Sequence, residues 1–237
     1  MAVRVRFHIT CALIVALFVG CFSTSPSIAS GATASYVARL MVDENSGGDG
    51  TGLTFTCSAV GIGDRLWVTA SHCVEGISSD GIQLESSNGA ISRVDKVFLP
   101  DSDADLAVLR SYREISEKHL DLPDGAVRHG DRLKVTGFGS GATRSETVPL
   151  RVESAGAERL IQGKRLQHLI VGKTVGYSRI CPGYSGAPAH AGGELVAIHV
   201  AGDYNPECGK RDAISTWSTE VYPYLSWISE LRSTSKM

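Results

Sequence analysis

Three residues in this chain are of the types that together cut an acyl bond, and each sits in a local pattern that suits the task. Ser185 lies in Cys181-Pro182-Gly183-Tyr184-Ser185-Gly186-Ala187-Pro188. A serine hydroxyl is a poor nucleophile until a base takes its proton. Gly183 lets the backbone turn so that its N–H and that of Ser185 can point at one spot. Two such donors would make an oxyanion hole, and each is worth roughly 3–4 kcal/mol of barrier. Gly186 removes a side chain where a substrate must approach. His72 ends the apolar run Leu66-Trp67-Val68-Thr69-Ala70 and precedes Cys73. A histidine next to a cysteine is more often structural than catalytic when it stands alone. Asp105 immediately precedes Leu106-Ala107-Val108-Leu109, where a carboxylate is usually a strand-edge residue. Buried beside an imidazole, it would instead fix the tautomer and stabilise the imidazolium.

The elements that must position these groups are short and apolar. Runs at residues 36–42, 53–60, 65–70, 82–85, 91–99 and 106–110 read as strands, separated by Gly, Asn, Asp or Ser clusters. Residues 111–130 form a polar connection containing the turn signal Pro123-Asp124-Gly125. A second set of strands is expected at 132–138, 148–153, 167–175, 186–189, 195–201 and 213–218. From Glu220 to Leu231, Val221, Tyr224, Leu225 and Ile228 fall at helical spacing. The expected fold is all-β, two barrel-like halves over about 35–122 and 123–231, closed by a C-terminal helix.

Residues 1–29 are expected to be a signal peptide. Arg4 and Arg6 precede an apolar run from Ile9 to about Phe22, and Ser27-Ile28-Ala29 supplies small residues for cleavage. An uncleaved anchor is the alternative, and the run is short for a bilayer span. Val19-Gly20-Cys21 also loosely resembles a lipobox. Of the six cysteines, Cys11 and Cys21 would leave with the signal. The other four, Cys57, Cys73, Cys181 and Cys208, suggest two disulfides in an oxidising compartment, with three connectivities open. A zinc site is the rival reading, and the chain has no C-x-x-C pair to favour it. With a net charge of −2, nothing points to a nucleic-acid partner or an anionic membrane surface. His119, His129, His168 and His190 lack ligand spacing and read as surface or packing residues. Asp43 to Gly50 reads as a solvated turn rather than a calcium loop. Neither a cofactor nor a metal is expected.

Taken together, the motifs resemble those of the trypsin/chymotrypsin family. These are the order His, Asp, Ser, the T-A-x-H-C pattern at His72, D-L-A-V-L from Asp105 and G-x-S-G-x-P at Ser185. Gly137-Phe138-Gly139 and Tyr224-Leu225-Ser226-Trp227-Ile228 are also similar to family segments, and the likeness runs from about Ser35 to Leu231. The resemblance implies two six-stranded antiparallel barrels with a His72–Asp105–Ser185 triad between them. It also implies an oxyanion hole from the Gly183 and Ser185 N–H groups, and disulfides Cys57–Cys73 and Cys181–Cys208. The function it implies is that of a secreted, monomeric endopeptidase acting on proteins or peptides. The alternative is a non-catalytic homologue that uses the scaffold to bind.

Two positions depart from the family pattern. Trypsin-like zymogens carry Asp directly before the nucleophile, where it pairs with an N-terminus made by cleavage. Here that residue is Tyr184, so the oxyanion loop is expected to be ordered by other contacts. At the specificity pocket, the floor position is Arg179, and the wall reads Val200-Ala201-Gly202 after His199. A histidine there resembles glutamate-specific members. Together with Arg179 and Gly202 it leads to an expected preference for Glu or Asp at P1. Otherwise Arg179 faces solvent, His199 packs in the barrel, and P1 is small or apolar.

Overall fold

A computed structural model describes residues 34–43, 52–178, 180–203, 211–212 and 214–235. The segment 1–29, Arg179 and Cys208 lie outside the described residues. The first barrel comprises β1 (Val37–Asp43), β2 (Leu53–Gly63), β3 (Leu66–Thr69), β4 (Ile82–Ser86), β5 (Ile91–Phe98) and β6 (Ala107–Ser111). It closes in the order β1-β2-β3-β6-β5-β4. The second comprises β7 (Arg132–Gly137), β8 (Glu146–Ile161), β9 (Lys164–Thr174), β11 (Pro188–Ala191), β12 (Glu194–Gly202) and β14 (Ser215–Glu220). It closes in the order β11-β12-β14-β9-β8-β7. A two-stranded ribbon, β10 (Tyr177–Ser178) with β13 (Arg211–Asp212), flanks it. Every barrel pairing is antiparallel. The expected all-β fold of two six-stranded antiparallel barrels is therefore the observed one. Closure leaves neither barrel an open edge.

Alternation places the apolar side chains inside. In β4 the sequence Ile82-Gln83-Leu84 puts Ile82 and Leu84 at 0% exposure and leaves Gln83 half-buried. β3 is buried along its whole length, with Trp67 at its centre. It lies between β2 and β6 and ends at the turn that carries His72.

Beyond shifts of up to three residues, two boundaries differ from the sequence reading. The helix α1 spans Leu225–Ser235, while Glu220 closes β14 and Tyr222–Tyr224 form a 3-10 turn with Pro223 near its start. Proline suits the first turn, where its missing N–H leaves no bond unmade. The larger difference is the β8–β9 hairpin. The sequence predicts strands at 148–153 and 167–175, but the ladder continues to Ile161↔Lys164. Residues 153–160 are exposed on both faces except half-buried Ala157, so they carry no period-two apolar signal. The hairpin turns at Gln162 and Gly163, both with positive φ (50° and 82°), as a two-residue type I′ connection requires. Arg159 lies 4.3 Å from the centroid of the Trp217 ring and ties the hairpin to β14.

Candidate active site

His72 and Asp105 come from the ends of neighbouring strand connections in the first barrel. Thr69 ends β3, and Ser71–Cys73 form one 3-10 turn. Asp105 precedes β6, which pairs with β3 from Thr69↔Ala107 onward, so register alone brings the two turns together. His72 Nδ1 and Asp105 Oδ2 are 2.6 Å apart. The His72 backbone N–H and Ser71 Oγ both donate to Asp105 Oδ1 at 2.9 Å. On the other side, Thr219 Oγ1 of β14 donates to the Asp105 carbonyl at 3.2 Å. Burial pushes the Asp105 carboxyl up. The hydrogen bonds from the His72 ring and backbone and from Ser71, with the charge of His72, outweigh it and hold the group below its ordinary value. Asp105 is thus an ionised acceptor, and the carboxylate orients the ring so that Nε2 is left for another partner.

Ser185 sits in the loop between β10 and β11 and is half-buried. Gly183 and Gly186 adopt φ of 98° and 79°, the left-handed region that glycine enters without steric cost. The loop is stitched to the first barrel at Ser58 of β2. Ser58 N–H donates to the Ser185 carbonyl at 2.7 Å, and Ser58 Oγ donates to the Gly183 carbonyl at 2.9 Å. The neighbouring Cys57 is disulfide-bonded to Cys73 beside His72, as expected. In the chain-entropy account this loop closure is worth about 3 kcal/mol. Cys181 is also in a disulfide, while Cys208 falls outside the described residues. The structure therefore joins His72 to Asp105 directly, and brings Ser185 to the same seam through Ser58 and the Cys57–Cys73 bridge. Among the described residues, no hydrogen bond joins the Ser185 hydroxyl to His72. Such bonds are commonly longer without substrate.

His199 of β12 is fully buried. Its backbone N–H donates to the Ala187 carbonyl and its carbonyl accepts from Gly186 N–H, at 2.9 and 2.8 Å. His199 stands opposite Ser218 of β14, and Thr216 follows two residues away on the same face. Both ring nitrogens of His199, Thr216 Oγ1 and Ser218 Oγ are buried with no hydrogen-bond partner. Four orphaned polar atoms on one sheet face are unusual, because buried polar groups are nearly always paired. Burial, with the charge of His72, pushes His199 down to about 3. Gly202 ends the same strand, half-buried. Thr216 and Ser218 were not singled out from sequence. Their only signal is membership of the strand expected at 213–218.

Cavities flank the His72–Asp105 pair. One of about 70 Å³ is lined by His72, Asp105, Val200 and the hairpin-tip residues Ile161, Gln162 and Lys164. A larger one, about 370 Å³, lies between residues 99–106 and Lys164–Leu166. Lys164 forms an ion pair with Glu75, so the unexpectedly long hairpin reaches the first barrel next to His72.

A two-barrel protein with an imidazole–carboxylate pair and a glycine-flanked serine at the seam has the architecture of the chymotrypsin-like peptidases. The trypsin family profile matches residues 29–228, and the chain belongs to that family. It is 23% identical over 161 residues to trypsin beta of Drosophila erecta, covering 57% of this chain and 64% of that protein. It is 24% identical over 177 residues to an uncharacterized peptidase of Corynebacterium glutamicum, covering 73% and 63%. The chain thus spans less than two thirds of these relatives. Among solved structures it resembles the protease domain of MamO from Magnetospirillum magneticum (TM-score 0.62, 20% identity, covering 81% of this chain and 95% of that one). It also resembles kallikrein-related peptidase 10 (TM-score 0.64, 20% identity, covering 84% and 96%). At such identities the structural likeness speaks for the fold.

Buried His199 and half-buried His190 make stability depend on pH. The folded-state values are about 3 for His199 and about 4 for His190, against about 6.5 in an unfolded chain. Between these limits the unfolded state binds protons that the folded state does not, so stability falls as pH falls from about 6.5 toward 4. Asp105 acts lower. Its stabilisation is complete above the ordinary carboxylate value and is lost only as pH falls through its depressed folded one. Urea midpoints of the Ser185→Ala protein (to prevent self-cleavage) are expected to drop steadily between pH 6.5 and 4.5. His199→Gln should flatten that slope, and an unchanged slope would contradict the burial of a neutral His199.

Proposed function

We propose that the chain is a secreted serine endopeptidase working through an acyl-enzyme on Ser185. The observation that carries this reading is the His72–Asp105 hydrogen bond at 2.6 Å at the seam to which Ser58 ties the Ser185 loop. His72 Nε2 takes the Ser185 Oγ proton as Oγ attacks the scissile carbonyl. The resulting oxyanion is held by the Gly183 and Ser185 N–H groups, and His72 passes its proton to the leaving amine. Water, deprotonated by His72, then releases the acid product and restores Ser185. Asp105 remains ionised and stabilises the imidazolium. The Cys57–Cys73 disulfide accords with an oxidising compartment, and the leader at residues 1–29 would direct the chain there. Among the described residues no helix is long and apolar enough to cross a membrane.

The preferred P1 residue is acidic. His199, Thr216 and Ser218 hold fully buried N–H and O–H donors without hydrogen-bond partners among the described residues, on one strand face beside the nucleophile loop. A Glu or Asp carboxylate is the ligand chemistry that would satisfy them together. Arg179 would add charge, and Gly202 would leave the wall open to substrate backbone.

The test uses the mature chain from Ser30, a fluorophosphonate probe and Ser185→Ala as control. Labelling of the wild type alone is expected, followed by faster hydrolysis after Glu than after Leu or Lys in a P1 library. Faster cleavage after Leu or Lys would reject the acidic preference while leaving the peptidase reading intact. A folded protein that never labels would favour the non-catalytic, binding alternative.

A further inference from the structure

The nucleophile loop can be read carbonyl by carbonyl. Cys181 O accepts from Tyr184 N at 3.1 Å, Pro182 O from Ser140 N at 2.7 Å, and Tyr184 O from Ala187 N at 2.9 Å. Gly183 O accepts from Ser58 Oγ at 2.9 Å, and Ser185 O from Ser58 N at 2.7 Å. All five carbonyls from Cys181 to Ser185 are therefore anchored. A trans peptide points its C=O and N–H in opposite directions, and the described chain has no cis bond. Anchoring Pro182 O on Ser140 thus turns the Gly183 N–H the other way, and anchoring Tyr184 O on Ala187 does the same for the Ser185 N–H. Among the described residues, neither N–H has a protein acceptor. Both are donors fixed in place and left unused by the described residues.

Ser58 is the centre of this arrangement. It is fully buried, and its Oγ also accepts from Phe138 N–H at 3.0 Å. One side chain thus bridges β2, the end of β7 and the nucleophile loop. Tyr184 wedges the loop from behind. It is 1% exposed, and its ring lies so close to Gly137 and Gly139 that a Cβ on either would meet it at 3.1 and 2.9 Å. The aromatic ring fills a buried place beside the loop, and its hydroxyl donates to the Glu146 carbonyl at 3.4 Å.

Resting on the peptidase reading above, we propose that Ser58 is a positioning residue of the oxyanion hole. With the Ser140 N–H and the buried Tyr184 ring, it holds the Gly183 and Ser185 N–H groups facing the substrate in the uncut chain. No newly made N-terminus is then required for activity. Ser58 touches no substrate, and acts by fixing the Gly183 carbonyl.

The experiment measures intact mass on the fluorophosphonate-labelled wild-type chain and compares the kinetics of Ser58→Ala. The expected result is label on chains uncut between Ala34 and Thr51. Ser58→Ala should lose about 10- to 100-fold in kcat, somewhat less than removal of a donor itself, with KM changed less than about threefold. Its affinity for a peptidyl trifluoromethyl ketone, which forms a tetrahedral adduct, should weaken by the same factor as kcat/KM. A merely structural role would lower the amount of active enzyme without moving that affinity. Label found only on chains cut between Ala34 and Thr51 overturns this proposal and leaves the peptidase reading standing. A folded Ser58→Ala with wild-type kcat overturns the role of Ser58. If that variant does not fold, Ser58→Cys, which keeps the volume but donates only weakly to the Gly183 carbonyl, takes its place, with the same losses expected and wild-type kcat overturning the role. A wild-type chain that never labels overturns both readings.

Discussion

Asp105→Asn is expected to lower kcat by about 10⁴-fold while leaving KM and the folded structure nearly unchanged. The reason lies in how many donors the carboxylate faces. Oδ1 accepts from Ser71 Oγ and from the His72 backbone N–H, and Oδ2 faces His72 Nδ1. An asparagine placed there can keep its oxygen toward Ser71 and the backbone N–H. Its NH₂ group must then face His72 Nδ1, which becomes an acceptor. The ring is forced into the tautomer that carries its proton on Nε2, and that nitrogen can no longer take the Ser185 proton. Turning the amide round would set two donors against NH₂ and cost more. The loss should shrink at high pH, where hydroxide can replace the missing base. A pH profile of kcat/KM for both proteins checks this, and a loss below about tenfold would show that His72 does not act through Asp105.

This pairing was legible in sequence, whereas its supports were not. His72 and Asp105 each stand at the end of an apolar run, and the register of β3 on β6 converts those two positions into neighbours. The type of each residue and its place relative to a strand were enough. Ser58 offers no such signal. It is an ordinary small residue inside β2, and its role depends on a loop 125 residues away. The same holds for Thr216 and Ser218, which become notable only when the register with β12 sets them beside His199 with no acceptor. The β8–β9 hairpin escaped for another reason. Its outer half buries little on either face, so hydrophobic periodicity had nothing to report, although the hairpin tip lines a cavity with His72. Local chemistry is written in residue types, while long-range positioning is written in register.

Gly186→Ala should be the most damaging single-methyl change in the site, costing about 2–5 kcal/mol of stability or more. Two terms add. The residue has φ of 79°, and a side chain in that region costs about 1–2 kcal/mol. The new Cβ would also lie 2.0 Å from the Ser58 carbonyl oxygen and 2.2 Å from Thr69 Oγ1. Neither is the loose end of a flexible side chain. The Ser58 carbonyl belongs to β2 and accepts the Thr69 hydroxyl at 2.8 Å, and both residues are fully buried. Relief requires the nucleophile loop to retreat, which stretches the Ser58 N–H bond to Ser185 O and the Gly186 N–H bond to His199 O. Overpacking of this kind costs about 1–3 kcal/mol or more, and whole domains are stable by only about 5–15 kcal/mol. Gly76→Ala separates the two terms, because Gly76 has φ of 76° with nothing within 4 Å of the added Cβ. It should cost about 1–2 kcal/mol, from backbone strain alone. Urea unfolding of both variants in the Ser185→Ala background measures the difference. If Gly186→Ala proves no worse than Gly76→Ala, the nucleophile loop does not press against β2. If it is far worse, the contact that seats Ser185 on the first barrel is as close as the geometry requires.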